Sequence, residues 1–424
     1  MPQIYRLADG VEGLFIKNSR FNTTLISFNF YLPLSREHYE ANALLPYVLS
    51  SCSKEYKSFR DLNMALGGLY GATITTGNAK LMDHQWTNIS INVINDAYSI
   101  AGAKIVAKAA ELLASLIFAP SLEGNSFRAE DVEREKIQMI DRIKGEINDK
   151  RGYARTKAVS LMFGDDPYGI PRYGYLENMK KVDGEELFAA WERLLRSAYI
   201  RVNVIGDTLP EGIFSAVSAA FSAIKRENVT GFKGFNTPEL VRNINETEYM
   251  DIAQGKLVMG FSLGDVSPES NTAALSVMSD IFGGGPYSRL FLNVRERLSL
   301  CYYCACRSAK NKGYMLVDSG VESANAEKAQ KEILNQLDIM KNGGFSDDEF
   351  DASVRSIKDS IKSAEDSAEV INTWYASRVF DGSVPEPADL EKLISKVTRE
   401  DVINAAKRVE LCTVYKLLPE EAKR

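Results

Sequence analysis

Histidine is nearly absent from this chain. Its 424 residues include two, His38 and His84. Catalytic zinc centres commonly draw two or three histidines into one neighbourhood, so a hydrolytic zinc site built from this chain alone would need both. Cysteine is sparse as well. Five cysteines, an odd number in a large chain, argue against a disulfide framework. No apolar run approaches the roughly 18 residues that a transmembrane helix requires. Basic blocks are missing too: 51 Lys and Arg stand against 57 Asp and Glu, for a net charge of −6. That balance excludes a nucleic-acid surface and a basic membrane-binding patch. The opening MPQIYRLADGVEG lacks the charged-then-apolar pattern of a secretory signal, and the expected location is cytoplasmic.

What is present is an ordinary soluble composition, 45% hydrophobic and 25% charged, at a length that predicts two to four domains. Periodicity alternates strands and helices in each half. TLISFNFYLPL predicts a strand with Ile26, Phe28 and Phe30 on one face. A helix follows whose apolar stripe is Ala41, Leu44, Leu45, Val48 and Leu49. SFRDLNMALGGLYG predicts a second helix, ATITTGN and HQWTNISINVI two strands, and AYSIAGAKIVAKAAELLASLIF a long helix. AEDVEREKIQMIDRIKGEI is another, with Ile140, Ile143 and Ile147 on one face, and AYIRVNVIGD closes the half as a strand. The second half repeats the order: KLVMGFSLGDV as a strand, NTAALSVMSDIFGGG as a helix with a glycine stop, YSRLFLNVRERLSL as a helix and CYYCACRSA as a strand. The segment Ser58 to Asn63 lies 230 residues before Ser288 to Asn293, each at the same place in its half. Duplication is the expectation. The polar, aperiodic stretch around IKRENVTGFKGFN puts the boundary near residue 230, with repeats 1–230 and 231–424.

Several motifs invite chemistry. Gly283, Gly284 and Gly285 would let another main chain approach closely, or simply end a helix. They are not a phosphate loop, because no Lys-Ser/Thr follows and they succeed a helix rather than a strand. CYYCAC suggests a metal motif, but strand alternation sends Cys304 and Cys306 to one face and Cys301 to the other, so core packing is the expectation. Cys52 and Cys412 are isolated. His38 precedes a helix and His84 precedes a strand, and both are expected in surface turns.

GGGPYSRLFLNVRERLSLCYY, residues 283–303, resembles the C-terminal repeat of the insulinase/pitrilysin metallopeptidase superfamily. NAKLMDHQWTNISINV, FRAEDVEREKIQMI and DDPYGIPRYGYLENMKKVDGEEL resemble its N-terminal repeat. The resemblance implies an α+β chain of two homologous repeats, each a mainly antiparallel sheet covered by helices, forming half of a clam-shell dimer. Active members carry His-x-x-Glu-His on a first-repeat helix. Its histidines bind zinc and its glutamate acts as general base. Aligned through SKEYKS, that pattern falls on Ala43, Pro46 and Tyr47. These positions lie off the apolar stripe and are expected to face a cleft. Glu135 matches a common glutamate of the family, and the third zinc-ligand position, seven residues on, is Arg142, a cation that opposes a metal. Proline inside a helix costs about 3 kcal/mol, so Pro46 departs further from the pattern. The resemblance therefore implies no metal in this chain and no hydrolysis by it alone.

The family's second element, an arginine and a tyrosine seven apart, matches Arg295 and Tyr302. A tyrosine hydroxyl can donate to a developing oxyanion, and a guanidinium can clamp a substrate main chain or carboxylate. The implied role is the non-catalytic subunit of a heterodimeric zinc peptidase. It would supply substrate binding and oxyanion stabilisation to a homologous partner that carries His-x-x-Glu-His and zinc, with Gly283, Gly284 and Gly285 beside the peptide. Without that partner a homodimer is possible. The alternative is an inert scaffold, like core subunits of respiratory complexes that share the fold, or an accessory protein, as some bacterial members without the motif are associated with elongation factor P maturation.

Overall fold

The computed structural model describes residues 2–232, 238–265, 272–379 and 385–423. In chain order the first half comprises β1 (Gln3–Ala8), β2 (Val11–Lys17), β3 (Thr23–Pro33), α1 (Tyr39–Leu49), α2 (Phe59–Gly68), β4 (Thr73–Leu81), β5 (His84–Ile94) and α3 (Ile105–Phe118). There follow β6 (Leu122–Glu123), β7 (Ser126–Phe127), α4 (Ala129–Gly145), α5 (Lys150–Phe163), α6 (Leu176–Met179), α7 (Gly184–Ser197), β8 (Tyr199–Gly206) and α8 (Ile213–Ser222). The second half has β9 (Ile244–Met250), β10 (Gly255–Ser262), α9 (Thr272–Gly283), a π-helix (Leu290–Arg297), β11 (Cys301–Ala309) and β12 (Tyr314–Val321). It closes with α10 (Ala326–Lys341), α11 (Asp347–Lys362), α12 (Ala368–Ser377), α13 (Pro387–Ser395), α14 (Arg399–Lys407) and β13 (Glu410–Pro419). No helix among the described residues is long and apolar enough to cross a membrane.

These elements form two compact units, each an α+β layer of one sheet flanked by helices. The first contains Met1–Lys144, Arg172–Phe232 and Ala364–Pro385, and the second Gly145–Pro171, Lys233–Ser363 and Glu386–Arg424. The strand orders are β1-β2-β8-β3-β5-β4 and β11-β12-β10-β13-β9. Leaving out β1, the sequence β2-β8-β3-β5-β4 is the same path as β9-β13-β10-β12-β11. In each sheet the first pair is parallel and the others antiparallel.

One face of each sheet is apolar. In the first unit Ile26, Phe28 and Phe30 meet the stripe Leu44, Leu45, Val48 and Leu49 of α1 and residues such as Leu112, Leu113 and Leu116 of α3, all buried. Each such side chain contributes about 1.5–3 kcal/mol when removed from water. The opposite face is polar and is covered by a helix from the other half of the chain. In the first unit this is α12. Asn372 accepts from Asn203 Nδ2 at 2.8 Å and from Asn29 Nδ2 at 3.3 Å, Trp86 Nε1 donates to Asn29 Oδ1 at 3.1 Å, and Tyr31 Oη donates to the Ala376 carbonyl at 2.8 Å. In the second unit the covering helix is α5. Arg151 pairs with buried Asp318 and lies 4.1 Å from the centre of the Tyr303 ring, while Tyr153 Oη donates to Glu248 Oε1 at 2.8 Å.

The structure departs from the expected elements at identifiable points. The long helix predicted from residue 97 begins at Ile105 instead, after short 3₁₀ turns, because Gly102 takes a left-handed φ of +69°. On α4 the buried apolar residues are Val132 and Met139, whereas Ile147 lies beyond the helix and is exposed. His84, expected in a surface turn, is the buried first residue of β5, with its ring edge-on to Phe232 at 5.2 Å. Burial lowers its pKa.

The amide contacts beneath α12 set an expectation. Asn372→Ala should destabilise the protein by about 1–3 kcal/mol, because it strips a buried acceptor from Asn203 and weakens the satisfaction of Asn29. Urea unfolding curves for the variant and the wild type measure this directly. Equal midpoints would show that the contacts carry no stability.

Candidate functional site

The helix that would carry a zinc motif is α1, and its surroundings are closed. Ala43 and Pro46 are buried, so the face expected to look into a cleft is packed. The apolar stripe fills one side. On others Tyr39 Oη donates to the Arg172 carbonyl and Glu40 Oε1 accepts from the Tyr175 amide at 2.8 Å. The helix runs through Pro46 without a break because this enclosure outweighs the lost hydrogen bond. Tyr47 is half-buried. The Arg142 guanidinium of α4 lies 4.7 Å from the centre of its ring, a cation–π contact. Burial raises the Tyr47 pKa, and neighbouring Tyr173 adds to the shift. Thus Tyr47 and Arg142 come together, but as a packed pair.

These residues do not fit zinc. Ala43 offers no donor, Pro46 no base, and Tyr47 a neutral phenol under a cation. Among the described residues no group of three or more His, Cys, Asp or Glu is placed to hold a metal ion. Glu135 is tied to Arg134 Nε at 3.1 Å. His38 sits at the N-cap of α1 and lines a different cavity, with Asn42 and Arg193.

The second unit holds an open, largely polar cavity of about 360 Å³ lined by Arg295, Glu296, Ser299, Leu300, Cys301, Tyr302, Glu322 and Asn325. Arg295 and Tyr302 therefore share one wall system. Two local irregularities put them there. Arg295 comes from the π-helix, where an ordinary α-helix is expected from the sequence, and its guanidinium lies 4.5 Å from the centre of the Phe291 ring. Departures from α-helix to π-helix are rare, and frequent at functional sites when they occur. After it the chain reverses through Ser299 at a left-handed φ of +50°. Tyr302 then lies in a β-bulge: Cys301 pairs with Val321 and Tyr303 with Gly320, so Tyr302 is the extra residue. It is exposed, and its Oη donates to Glu322 Oε1 at 3.2 Å.

The same bulge corrects the reading of CYYCAC. With one residue looped out, Cys301 and Cys304 stand opposite Val321 and Ser319, two positions apart on β12, and so share a face. Both thiols, and Cys306, are buried. The neighbouring Cys304 thiol pulls the Cys301 pKa below its usual value; burial opposes this, while Ser319 and the charge of Arg295 assist. Cys304 is raised correspondingly.

The glycines answer to internal packing. Gly283 is buried, and a Cβ there would lie 2.5 Å from the Cys306 amide nitrogen. At Gly284 it would lie 2.2 Å from Asp280 Oδ2, and at Gly285 it would meet the Tyr287 ring at 2.7 Å. Arg289 of the Ser-Arg-Leu-Phe segment is also structural. It donates to Gln336 Oε1 of α10 at 2.8 Å and pairs with Glu349 of α11 at 3.2 Å, anchoring the start of the π-helix. Glu322 escaped the sequence reading. The regular β11–β12 register would pair Tyr302 with Val321, and only the bulge leaves Tyr302 free to reach Glu322.

Comparisons with known proteins agree with this arrangement. Residues 181–357 match the family described as Peptidase M16 inactive domain. The Bacillus subtilis protein named "Probable inactive metalloprotease YmfF" is 28% identical over 407 residues, covering 96% of this chain and 95% of its own. The same organism's "Uncharacterized zinc protease YmxG" is 24% identical over 259 residues, 60% of each chain. A crystal structure of a conserved protein from Enterococcus faecalis V583 superposes with a TM-score of 0.88 at 27% identity, over 99% of both chains. The chain is thus similar over residues 181–357 to the inactive domain of M16, or insulinase/pitrilysin, peptidases and along nearly its whole length to a relative named inactive, and it carries no His-x-x-Glu-His.

Proposed function

We propose that this chain is the zinc-free subunit of a two-chain peptidase, binding peptide and stabilising an oxyanion for a homologous partner that carries His-x-x-Glu-His and zinc. One observation carries the reading: Arg295 and Tyr302 line one open cavity while the zinc-ligand positions are packed shut. A guanidinium fork can hold a peptide carbonyl or carboxylate, and an exposed phenol can donate to charge developing on a scissile carbonyl. That Bacillus subtilis has relatives of both kinds, one named inactive and one named zinc protease, supports a division of labour. The cytoplasmic location, the repeat boundary near residue 230 and the capacity to form a homodimer alone belong to the same proposal.

A second reading, an inert scaffold or accessory factor, draws on the bond between Tyr302 and Glu322. That bond already engages the hydroxyl an oxyanion would need. Variants separate the two readings. In a reconstituted pair that hydrolyses peptides, Tyr302→Phe should lower kcat by roughly 10²–10³ with little change in KM, the usual effect of losing one oxyanion donor. Arg295→Ala should lower kcat and raise KM together, since the fork orients the bound substrate as well. Full activity in variants that still assemble with the partner would leave the scaffold reading in place.

The isolated chain should retain zinc at background level after mild chelation. Elemental analysis of the purified protein measures this, and stoichiometric zinc would refute the assignment of Ala43, Tyr47 and Arg142 to the ligand positions. It should also fail to cleave unfolded peptides by itself, whereas chelator-sensitive hydrolysis by the pure chain would sink the two-chain reading.

A further inference from the structure

The cavity wall contains two thiols that neither the family pattern nor the proposed peptide site employs. Cys301 lines the cavity beside Arg295 and Tyr302. Cys304 is its same-face neighbour across the bulge, opposite Ser319. In a regular strand, residues three apart point to opposite faces and lie about 10 Å apart. Here the bulge absorbs one residue. The two cysteines face β12 positions two apart, Val321 and Ser319, a separation of about 7 Å along the strand. That is just beyond the Cα separation that a disulfide usually spans, about 4.4–6.8 Å, so closure has to draw the two residues together. A bond between the two sulfurs would therefore tighten the bulge slightly, and the residue looped out by the bulge is Tyr302.

We infer that Cys301 and Cys304 form a peroxide-reactive dithiol that closes reversibly into a disulfide and shifts Tyr302 as it closes. The chemistry is a two-electron oxidation. The Cys301 thiolate attacks one oxygen of hydrogen peroxide, an S–O bond forms, the O–O bond breaks, and the departing hydroxide takes up the proton that Cys301 released. The Cys304 sulfur then attacks the resulting sulfenic acid. An S–S bond forms, the S–O bond breaks, and hydroxide leaves as water with the Cys304 proton. Two thiols are oxidised, and one peroxide is reduced to two waters. A thiol reductant reverses the change by exchange.

The surroundings suit these roles. The Cys304 thiol, Ser319 and the Arg295 cation favour thiolate at Cys301, and the cavity supplies access. By contrast, burial raises Cys52, Cys306 and Cys412 above the usual thiol pKa, which disfavours attack from them. The disulfide stands independently of the peptide-site reading. Its effect on substrate handling rests on that reading, through Tyr302.

The test uses the full chain treated with a small excess of hydrogen peroxide. Thiols titrated under denaturing conditions should fall from five to three per chain. Peptide mapping by mass spectrometry should find a Cys301–Cys304 link that dithiothreitol removes. Cys301→Ser and Cys304→Ser should each abolish the link, and Cys301→Ser should slow peroxide-dependent thiol loss at least tenfold. Cys306→Ala should change neither. In chain labelled with 3-fluorotyrosine, the ¹⁹F resonance assigned by Tyr302→Phe should shift on oxidation and return on reduction. Oxidation mapping to Cys52, Cys306 or Cys412 in place of the link would overturn the proposal, and the wild-type map decides this even if a serine variant folds poorly. A Tyr302 resonance unmoved in fully linked protein would overturn the coupling. Neither result depends on a partner or on peptidase activity, so failure here is distinguishable from failure of the proposed function.

Discussion

Each sheet in this protein has a polar face that the helices of its own half leave uncovered, and a helix from the other half covers it. In the first unit α12 lays Asn372 and the Ala376 carbonyl over Asn29, Asn203 and Tyr31. In the second, α5 lays Arg151 and Tyr153 over Asp318 and Glu248. Buried amides, carboxylates and phenols are costly unless partnered. The compact units are therefore discontinuous in sequence, each taking a segment from beyond the midpoint of the chain. Exchange of α5 and α12 makes the two halves interdependent for satisfying their polar groups, while each keeps its own apolar core.

Within that frame the two halves differ in their local regularity. The helix α1 is enclosed nearly all round, and the Arg142 guanidinium packs over the Tyr47 ring beside it. In the second half the stretch that follows α9 is irregular. A π-helix, a left-handed Ser299 and a bulge at Tyr302 replace regular helix and strand within thirteen residues, Leu290 to Tyr302. Such irregularities lose regular hydrogen bonds locally and persist where surrounding packing holds them. Arg289 does so here through Gln336 and Glu349, and Gly283 by its close seat against Cys306. The side chains presented to the cavity are consequently positioned by buried contacts behind them.

The fold class, the order of elements and the likeness between halves were legible because apolar periodicity records which face of each segment is buried. The Arg295 and Tyr302 pair was legible because its seven-residue spacing is local. The fate of α1 was not. Reading an apolar stripe assumes that the remaining face is open, yet Ala43 and Pro46 are small enough to be covered by a second layer. The thiol pair was misread for a related reason. Strict alternation holds for a regular strand, and one looped-out residue reverses it.

By itself the sequence determined that this chain carries no His-x-x-Glu-His, since a ligand that is not encoded cannot be supplied by folding. It determined also that an arginine and a tyrosine, Arg295 and Tyr302, stand seven residues apart. Only the tertiary structure decided that these two open onto one cavity, that Glu322 joins them from the end of the neighbouring strand, and that Cys301 and Cys304 share a face. Each of those facts depends on register across β11 and β12 and on a single extra residue, and register is a property of pairing between strands that no one segment encodes.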